Sequence, residues 1–142
     1  MGPEAKPRVL FVCFGNANRS QLAEAFARIH SGDRIEAYSA GVRPATQLDE
    51  RAVAAMSGRG YDSAAHRPKE LSEVPQVQYD AVVTMGCEDQ CPRIEAKHHV
   101  AWNLPQSKTA EEYARLCDAI EESVKELLQQ LHRSASEQTT GN

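Results

Sequence analysis

Apolar residues follow two different periods along this chain. Near-continuous runs at Arg8–Val12, Ile35–Ala40 and Tyr79–Met85 read as buried strands, and His98–Trp102 reads as a shorter fourth. Between them the spacing is helical. Leu22, Ala23, Phe26 and Ile29 share one helix face behind a capping Ser20, and Asp49 caps a short helix through Val53 and Met56 that stops at Gly58 and Gly60. Ala65–Val77, broken by Pro68 and Pro75, reads as loop with at most one short helix. From Thr109 to about His132, the residues Leu116, Cys117, Ile120, Val124, Leu127 and Leu131 form an apolar stripe that must pack on a sheet. The polar, aperiodic segments 1–7 and 133–142 read as flexible tails, leaving 8–132 as one domain. Strands alternating with helices imply an α/β fold, a single-domain three-layer sandwich with a central four-stranded parallel sheet and helices on both faces. Sheets of this kind bind ligands at the C-terminal ends of their strands, where both Cys13 and Cys87 fall.

Composition narrows the function classes. A length of 142 residues suits one core, and 41% apolar with 25% charged residues is ordinary for a globular chain. A net charge of −4 gives no support for binding nucleic acid or anionic lipid. There is no long apolar run and no apolar signal core, so the reading is no membrane span and a cytoplasmic location. In that compartment the four cysteines read as catalytic or redox-active thiols rather than a disulfide framework.

The chemistry concentrates in Val9–Gln21. A strand ends at Cys13, the Gly- and Asn-containing turn Phe14, Gly15, Asn16, Ala17, Asn18 follows, and Arg19 and Ser20 open a helix. Such a turn aims backbone N–H groups and the positive helix end at one point, a seat for an anion. Cys13 stands at its mouth as a nucleophile, and Arg19 supplies planar recognition of a tetrahedral oxyanion. A core thiol is the bland alternative for Cys13. Neither a Walker turn nor a dinucleotide fingerprint is present.

The second stretch is Gly86–Pro92, with Cys87 and Cys91. Half a zinc site completed by His98 and His99 is one reading, although neighbouring strand residues point to opposite faces. Inert thiols are another. A dithiol pair that relays oxidation away from Cys13 is the third and the one favoured, because a loop containing Gly86 can bend to bring the two within disulfide reach.

The run from Cys13 to Ser20 resembles the phosphate loop of the low-molecular-weight protein tyrosine phosphatase superfamily, and Gln21, where phosphatases usually carry proline, makes it more similar to the arsenate reductase branch. With Thr84–Cys87 and Cys91–Pro92 in order, the chain resembles the three-cysteine, thioredoxin-coupled arsenate reductases from about Arg8 to Leu131. The resemblance implies the low-molecular-weight phosphatase-like fold, arsenate as substrate, thioredoxin or a similar dithiol as reductant, and no tightly bound cofactor. It also implies Cys13 as nucleophile, Cys87 as first resolving thiol and Cys91 as second; the chain is expected to be a monomer. Asn16, Glu24, Ser39 and Asp62 match positions that ligate potassium in some of these reductases.

The chain departs from the pattern at three points. Asn18 stands where the superfamily often has cysteine. The aspartate general acid expected after the last strand is absent from Trp102–Ser107, which leaves Glu88 or Asp89, or a proton carried by the substrate, as the candidate sources of the proton. The tyrosine that follows that aspartate in the phosphatases is missing too. A phosphomonoesterase using Cys13 and Arg19 alone, and a non-catalytic oxyanion-binding or thiol-sensing protein, are the competing readings. Cys117 reads as core, and His30, His66 and His132 as solvated surface residues.

Overall fold

The computed structural model describes residues 6–87 and 90–140. Four strands, β1 (Arg8–Cys13), β2 (Glu36–Gly41), β3 (Tyr79–Met85) and β4 (Ala96–Ala101), lie in the order β2-β1-β3-β4. Every pairing is parallel, with Cys13 opposite Gly41 on one side and Met85 on the other. Helices α1 (Arg19–Ser31), α2 (Glu50–Gly58) and α3 (Ala110–Thr140) connect and follow them, and a 3-10 turn spans Leu71–Glu73. The chain leaves β1 toward β2, then crosses back over β1 to β3. The direction of winding therefore reverses between β1 and β3, which opens a crevice at their C-terminal ends.

Side-chain alternation along β1 divides the core. Val9, Phe11 and Cys13 face a cluster that contains Leu22 and Phe26 of α1, Ala52 and Met56 of α2, and Leu116, Ile120 and Val124 of α3. Leu10 and Val12 face the other side, where Val74, Tyr79, Val82 and Cys87 pack with Leu71, Val77 and Ile94. The sandwich therefore has a thick layer of three α-helices and a thinner second layer built from the 3-10 turn and its loops.

Several local expectations shift. Ser20 does not cap α1; Asn18 occupies the N-cap without a side-chain bond to the helix, and Ser20 lies buried inside the first turn. Its hydroxyl is instead committed to the sulfur of Cys13, as described below. Ile29 and Val53 are exposed, while Ala52 and Met56 fill the buried face of α2. Asp49 does cap α2, accepting the Arg51 amide at 2.9 Å. The α3 helix continues to Thr140, past His132, and its buried stripe includes Leu116, Ile120, Val124, Leu127 and Leu131. Of the flexible tails expected at 1–7 and 133–142, residues 133–140 instead continue α3, and residues 1–5 and 141–142 lie outside the described residues. No helix among the described residues is long and apolar enough to cross a membrane.

Candidate active site

The turn after β1 is held by hydrogen bonds around Asn16. Its φ of 50° is left-handed, a conformation that asparagine tolerates better than most residues. This twist sends the Asn16 amide to the Cys13 sulfur at 3.2 Å. The Asn16 side-chain amide donates to the Ser20 hydroxyl at 2.7 Å. The same hydroxyl is hydrogen-bonded to the Cys13 sulfur at 2.8 Å, a contact in which either group can donate. The Asn16 amide and the Ser20 hydroxyl thus converge on a sulfur that is almost fully buried.

Gln21 fixes Asn16 from behind. Its Nε2 donates to the Asn16 carbonyl at 3.1 Å, to Asn16 Oδ1 at 3.0 Å and to the Arg67 carbonyl at 3.0 Å. Gln21 Oε1 is then left to accept, so His66 Nδ1, 2.8 Å away, carries the proton. His66 Nε2 in turn accepts from the Tyr61 hydroxyl at 2.6 Å. Burial lowers the His66 pKa and the nearby Glu24 only partly opposes this, so the ring is held neutral in that tautomer. Sequence reading took His66 for a solvated residue; its side chain is in fact buried.

The remaining turn residues divide by direction. Asn18 points away from the oxyanion seat, donating to Asp49 at 3.1 Å and accepting from the Tyr113 hydroxyl at 2.7 Å. Its carbonyl starts the helix and the Ala17 carbonyl accepts the Asp49 amide. Phe14 is exposed at the mouth, and the Phe14 and Gly15 carbonyls bind the Arg43 and Ala45 amides. Tyr113 was not singled out from sequence; its place in the α3 stripe gave no hint of a polar contact with the turn. Arg19 reaches the loop after β4, where its Nη2 donates to the Pro105 carbonyl at 3.1 Å. Beside it lies a cavity of about 390 Å³ lined by Gly86, Trp102, Asn103, Leu104 and Gln106.

Cys87 emerges from β3 on the opposite side of β1, in the second core cluster. Its sulfur lies 3.6 Å from the Val12 carbonyl. The Cys87 carbonyl accepts the amides of Gln90 at 2.9 Å and Cys91 at 2.8 Å, which holds the Cys91 backbone beside Cys87. Gly86, at φ +86°, makes the exit from the strand possible. Desolvation pushes the Cys87 thiol up to about 12, with the neighbouring Cys91 and Cys13 adding to the shift. All four cysteines are free thiols. Cys117 is buried in the α3 stripe, as expected.

Neither metal reading finds its ligands. His99 is turned to the Ile94 carbonyl at 2.6 Å and His98 is exposed, so they do not join Cys87 and Cys91. The potassium set is committed elsewhere as well. Asn16 Oδ1 accepts from Gln21 and from the Lys69 amide, the Ser39 hydroxyl donates to Glu24 Oε1 at 2.6 Å, and Glu24 Oε2 holds Arg28 at 2.8 Å. Asp62 is exposed and accepts the Ala64 amide at 3.0 Å. These residues do not fit a potassium ion. The alternative proton donors Glu88 and Asp89 lie outside the described residues.

Residues 8–137 match the family described as low molecular weight phosphotyrosine protein phosphatase. The chain belongs to this family. Within it, the chain is 31% identical to arsenate reductase 1 of Staphylococcus epidermidis over 125 residues, covering 84% of this chain and 93% of that protein. A thioredoxin-dependent arsenate reductase of Corynebacterium glutamicum superposes with a TM-score of 0.78 at 32% identity, over 92% of this chain. The chain spans 64% of the length of that structure. An arsenate reductase from Archaeoglobus fulgidus gives a TM-score of 0.72 at 33% identity, covering 85% of this chain and 98% of that one.

Proposed function

We propose that this chain reduces arsenate to arsenite, with Cys13 as nucleophile and Cys87 and Cys91 as a relay that thioredoxin or a similar dithiol protein resets. The observation that carries the reading is the trio of free thiols: one in the oxyanion turn, two on a single turn at the adjacent strand end. A phosphatase needs the first and has no use for the other two. The names of the Staphylococcus epidermidis and Corynebacterium glutamicum relatives support the same substrate, and the latter the same kind of reductant.

The Cys13 thiolate forms a bond to arsenic while an As–O bond breaks, and the oxygen leaves as water with a proton that arsenate brings or a nearby acid gives. Arg19 and the turn amides hold the remaining oxygens. Cys87, once deprotonated, attacks the Cys13 sulfur. The S–As bonding pair stays on arsenic, which falls from As(V) to As(III) and departs as arsenite, leaving a Cys13–Cys87 disulfide. Cys91 then attacks Cys87, freeing Cys13 and moving the disulfide to the Cys87–Cys91 turn, where an external dithiol reduces it. Two electrons leave the protein's thiols and two arrive on arsenic.

The high pKa of Cys87 gives this order a physical basis. A buried, protonated thiol is a poor nucleophile, so Cys87 attacks the Cys13 sulfur only once it is deprotonated beside the arsenic adduct. Movement about Gly86 brings it out of the second core cluster and toward Cys13. The test is arsenate-dependent NADPH oxidation with thioredoxin and thioredoxin reductase, for the wild type and for Cys13→Ser, Cys87→Ser and Cys91→Ser. Turnover in the wild type that disappears in all three variants is the expected result. Phosphomonoester hydrolysis dependent on Cys13 alone, without arsenate turnover, would replace this reading with a phosphatase.

A further inference from the structure

A second cavity, of about 650 Å³, opens at the end of the sheet opposite Cys13. Pro7 and Ile35, which line it, immediately precede β1 and β2. A strand of six residues spans about 20 Å, so this cavity is separate from the oxyanion turn at the other end of β1. Its volume lies in the range of clefts that hold drug-sized molecules.

The walls divide by chemistry. Pro7, Ile35, Leu128 and Leu131 make an apolar floor, and Ile35 and Leu128 pack on the first core cluster while staying only partly buried. Five basic side chains surround it: His30 and Arg34 from the end of α1 and the turn after it, and Lys125, His132 and Arg133 from α3. None of the described residues lining the cavity is acidic, in a chain whose net charge is −4.

The neighbouring acids leave this charge largely uncompensated. Glu121 takes His30 Nε2 at 2.6 Å and Arg59 at 3.3 Å. Glu122 reaches Lys125 at 3.2 Å, but both side chains are well exposed and such a pair contributes little. Arg34 is fixed in place, its Nε donating to the Ser31 carbonyl at 3.1 Å and its Nη2 to the His30 carbonyl at 3.2 Å. It therefore brings a full positive charge to the cavity with no further ordering. Lys125 and Arg133 are exposed, and Arg133 forms no ion pair with a described residue.

We infer that this cavity binds an amphipathic organic anion: a compact apolar body resting on Ile35, Leu128 and Leu131, with one carboxylate, sulfonate or phosphate meeting Arg34, Lys125 and Arg133. A neutral apolar molecule would leave the basic rim without a counter-charge, and an inorganic oxyanion would leave the floor in water. A ligand with both parts satisfies both surfaces. The site lies outside the reductase reading, and its test does not pass through arsenate.

The test titrates the full reduced chain with 1-anilinonaphthalene-8-sulfonate, followed by dye fluorescence and by amide chemical shifts. Saturable one-to-one binding is expected, with shifts moving at Ile35 and Leu128 and not at Gly15 or Asn16. Inorganic phosphate should not displace the dye, and neither should methanesulfonate, which carries the charge without the apolar body. Replacing both exposed cations, Lys125→Gln with Arg133→Gln, should weaken binding about 10-fold. Lys108→Gln, at an exposed position away from the cavity, should leave it unchanged. Equal affinity in the double variant, displacement by phosphate or methanesulfonate, shifts centred on the oxyanion turn, or fluorescence that never saturates would each overturn the inference. So would a dye affinity that weakens as protein concentration rises, which would assign this face to a second copy of the chain.

Discussion

Arg19 and Pro105 meet across the mouth of the site, guanidinium to carbonyl at 3.1 Å. A family that usually has an acid on this loop here offers a backbone acceptor instead. The contact holds the loop after β4 against the oxyanion turn, and an arriving oxyanion must share or displace it. Arg19→Lys keeps the charge but loses the planar fork needed to hold two oxygens while facing Pro105. We expect kcat/KM for arsenate to fall about 100-fold, a loss of roughly 2.7 kcal/mol of transition-state stabilisation. The midpoint should stay within a degree or two of the wild type, since the bond to Pro105 is exposed.

Ser20→Ala removes the hydroxyl hydrogen-bonded to Cys13 without opening a large void. The sulfur keeps the Asn16 amide, but Asn16 Nδ2 loses its acceptor. A hydrogen bond to a charged group contributes about 1.5–3 kcal/mol, so single-turnover attack on arsenate should slow by about 10-fold or more. Stopped-flow measurement of the first thiol consumed would read this directly. An unchanged rate would mean that the turn amides alone sustain the nucleophile.

His66→Leu should damage the turn from a distance. It leaves Gln21 Oε1 and the Tyr61 hydroxyl without their partner, at a cost of about 1–3 kcal/mol. Denaturant unfolding measures that cost. The wild-type ring also predicts an acid limb. Its folded pKa lies below the ordinary 6.5, so its contribution to stability is present above that value and is lost as pH falls through the folded pKa. His66→Leu should flatten that limb.

Cys87 predicts the opposite limb. Its folded pKa is raised from 9.0 to about 12, so the protonated thiol favours the folded state. This contribution is complete below pH 9.0 and disappears as pH rises toward about 12. Unfolding free energy measured from neutral to strongly alkaline pH should therefore fall above about pH 9, and less steeply in Cys87→Ala. Iodoacetamide at neutral pH should modify Cys87 more slowly than Cys91, which is less buried.

Gly41→Ala tests the packing of the turn. An added methyl carbon would sit 2.9 Å from the Asn16 amide nitrogen, the Asn16 Cβ and the Phe14 carbonyl oxygen. Two of these are backbone atoms with no free rotor to move aside. A loss of about 1–3 kcal/mol is expected, with weaker oxyanion binding measured by phosphate titration.

The strands were legible because parallel sheets demand unbroken apolar runs, and Cys13, Arg19, Cys87 and Cys91 were legible because punctuation by glycine and polar residues isolates them. His66 was not. Its neighbours in sequence are polar and proline-bearing, and nothing local marks it; it is buried only because Gln21, 45 positions away, requires a donor. Gln21 was read as a branch marker, while its role as the hub that fixes Asn16 depends on three carbonyl oxygens brought together by the fold. Ser20 looked like a helix cap because capping chemistry is local. The demand from the Cys13 sulfur is also local in sequence, but it takes effect only once Asn16 adopts its left-handed twist.

The strand order has a consequence for how the chain becomes competent as it is made. β1, α1 and β2 are contiguous and can assemble around Cys13 early, whereas β3 must insert on the far side of β1 after a long excursion, pairing Cys13 with Met85. Closing that distance is the slow, entropically costly part of such a topology. An emerging polypeptide would therefore own an oxyanion pocket well before it owned a way to discharge it. Under the proposed relay, an oxyanion captured before the second half of the sheet has locked in would have no resolving thiol to release it.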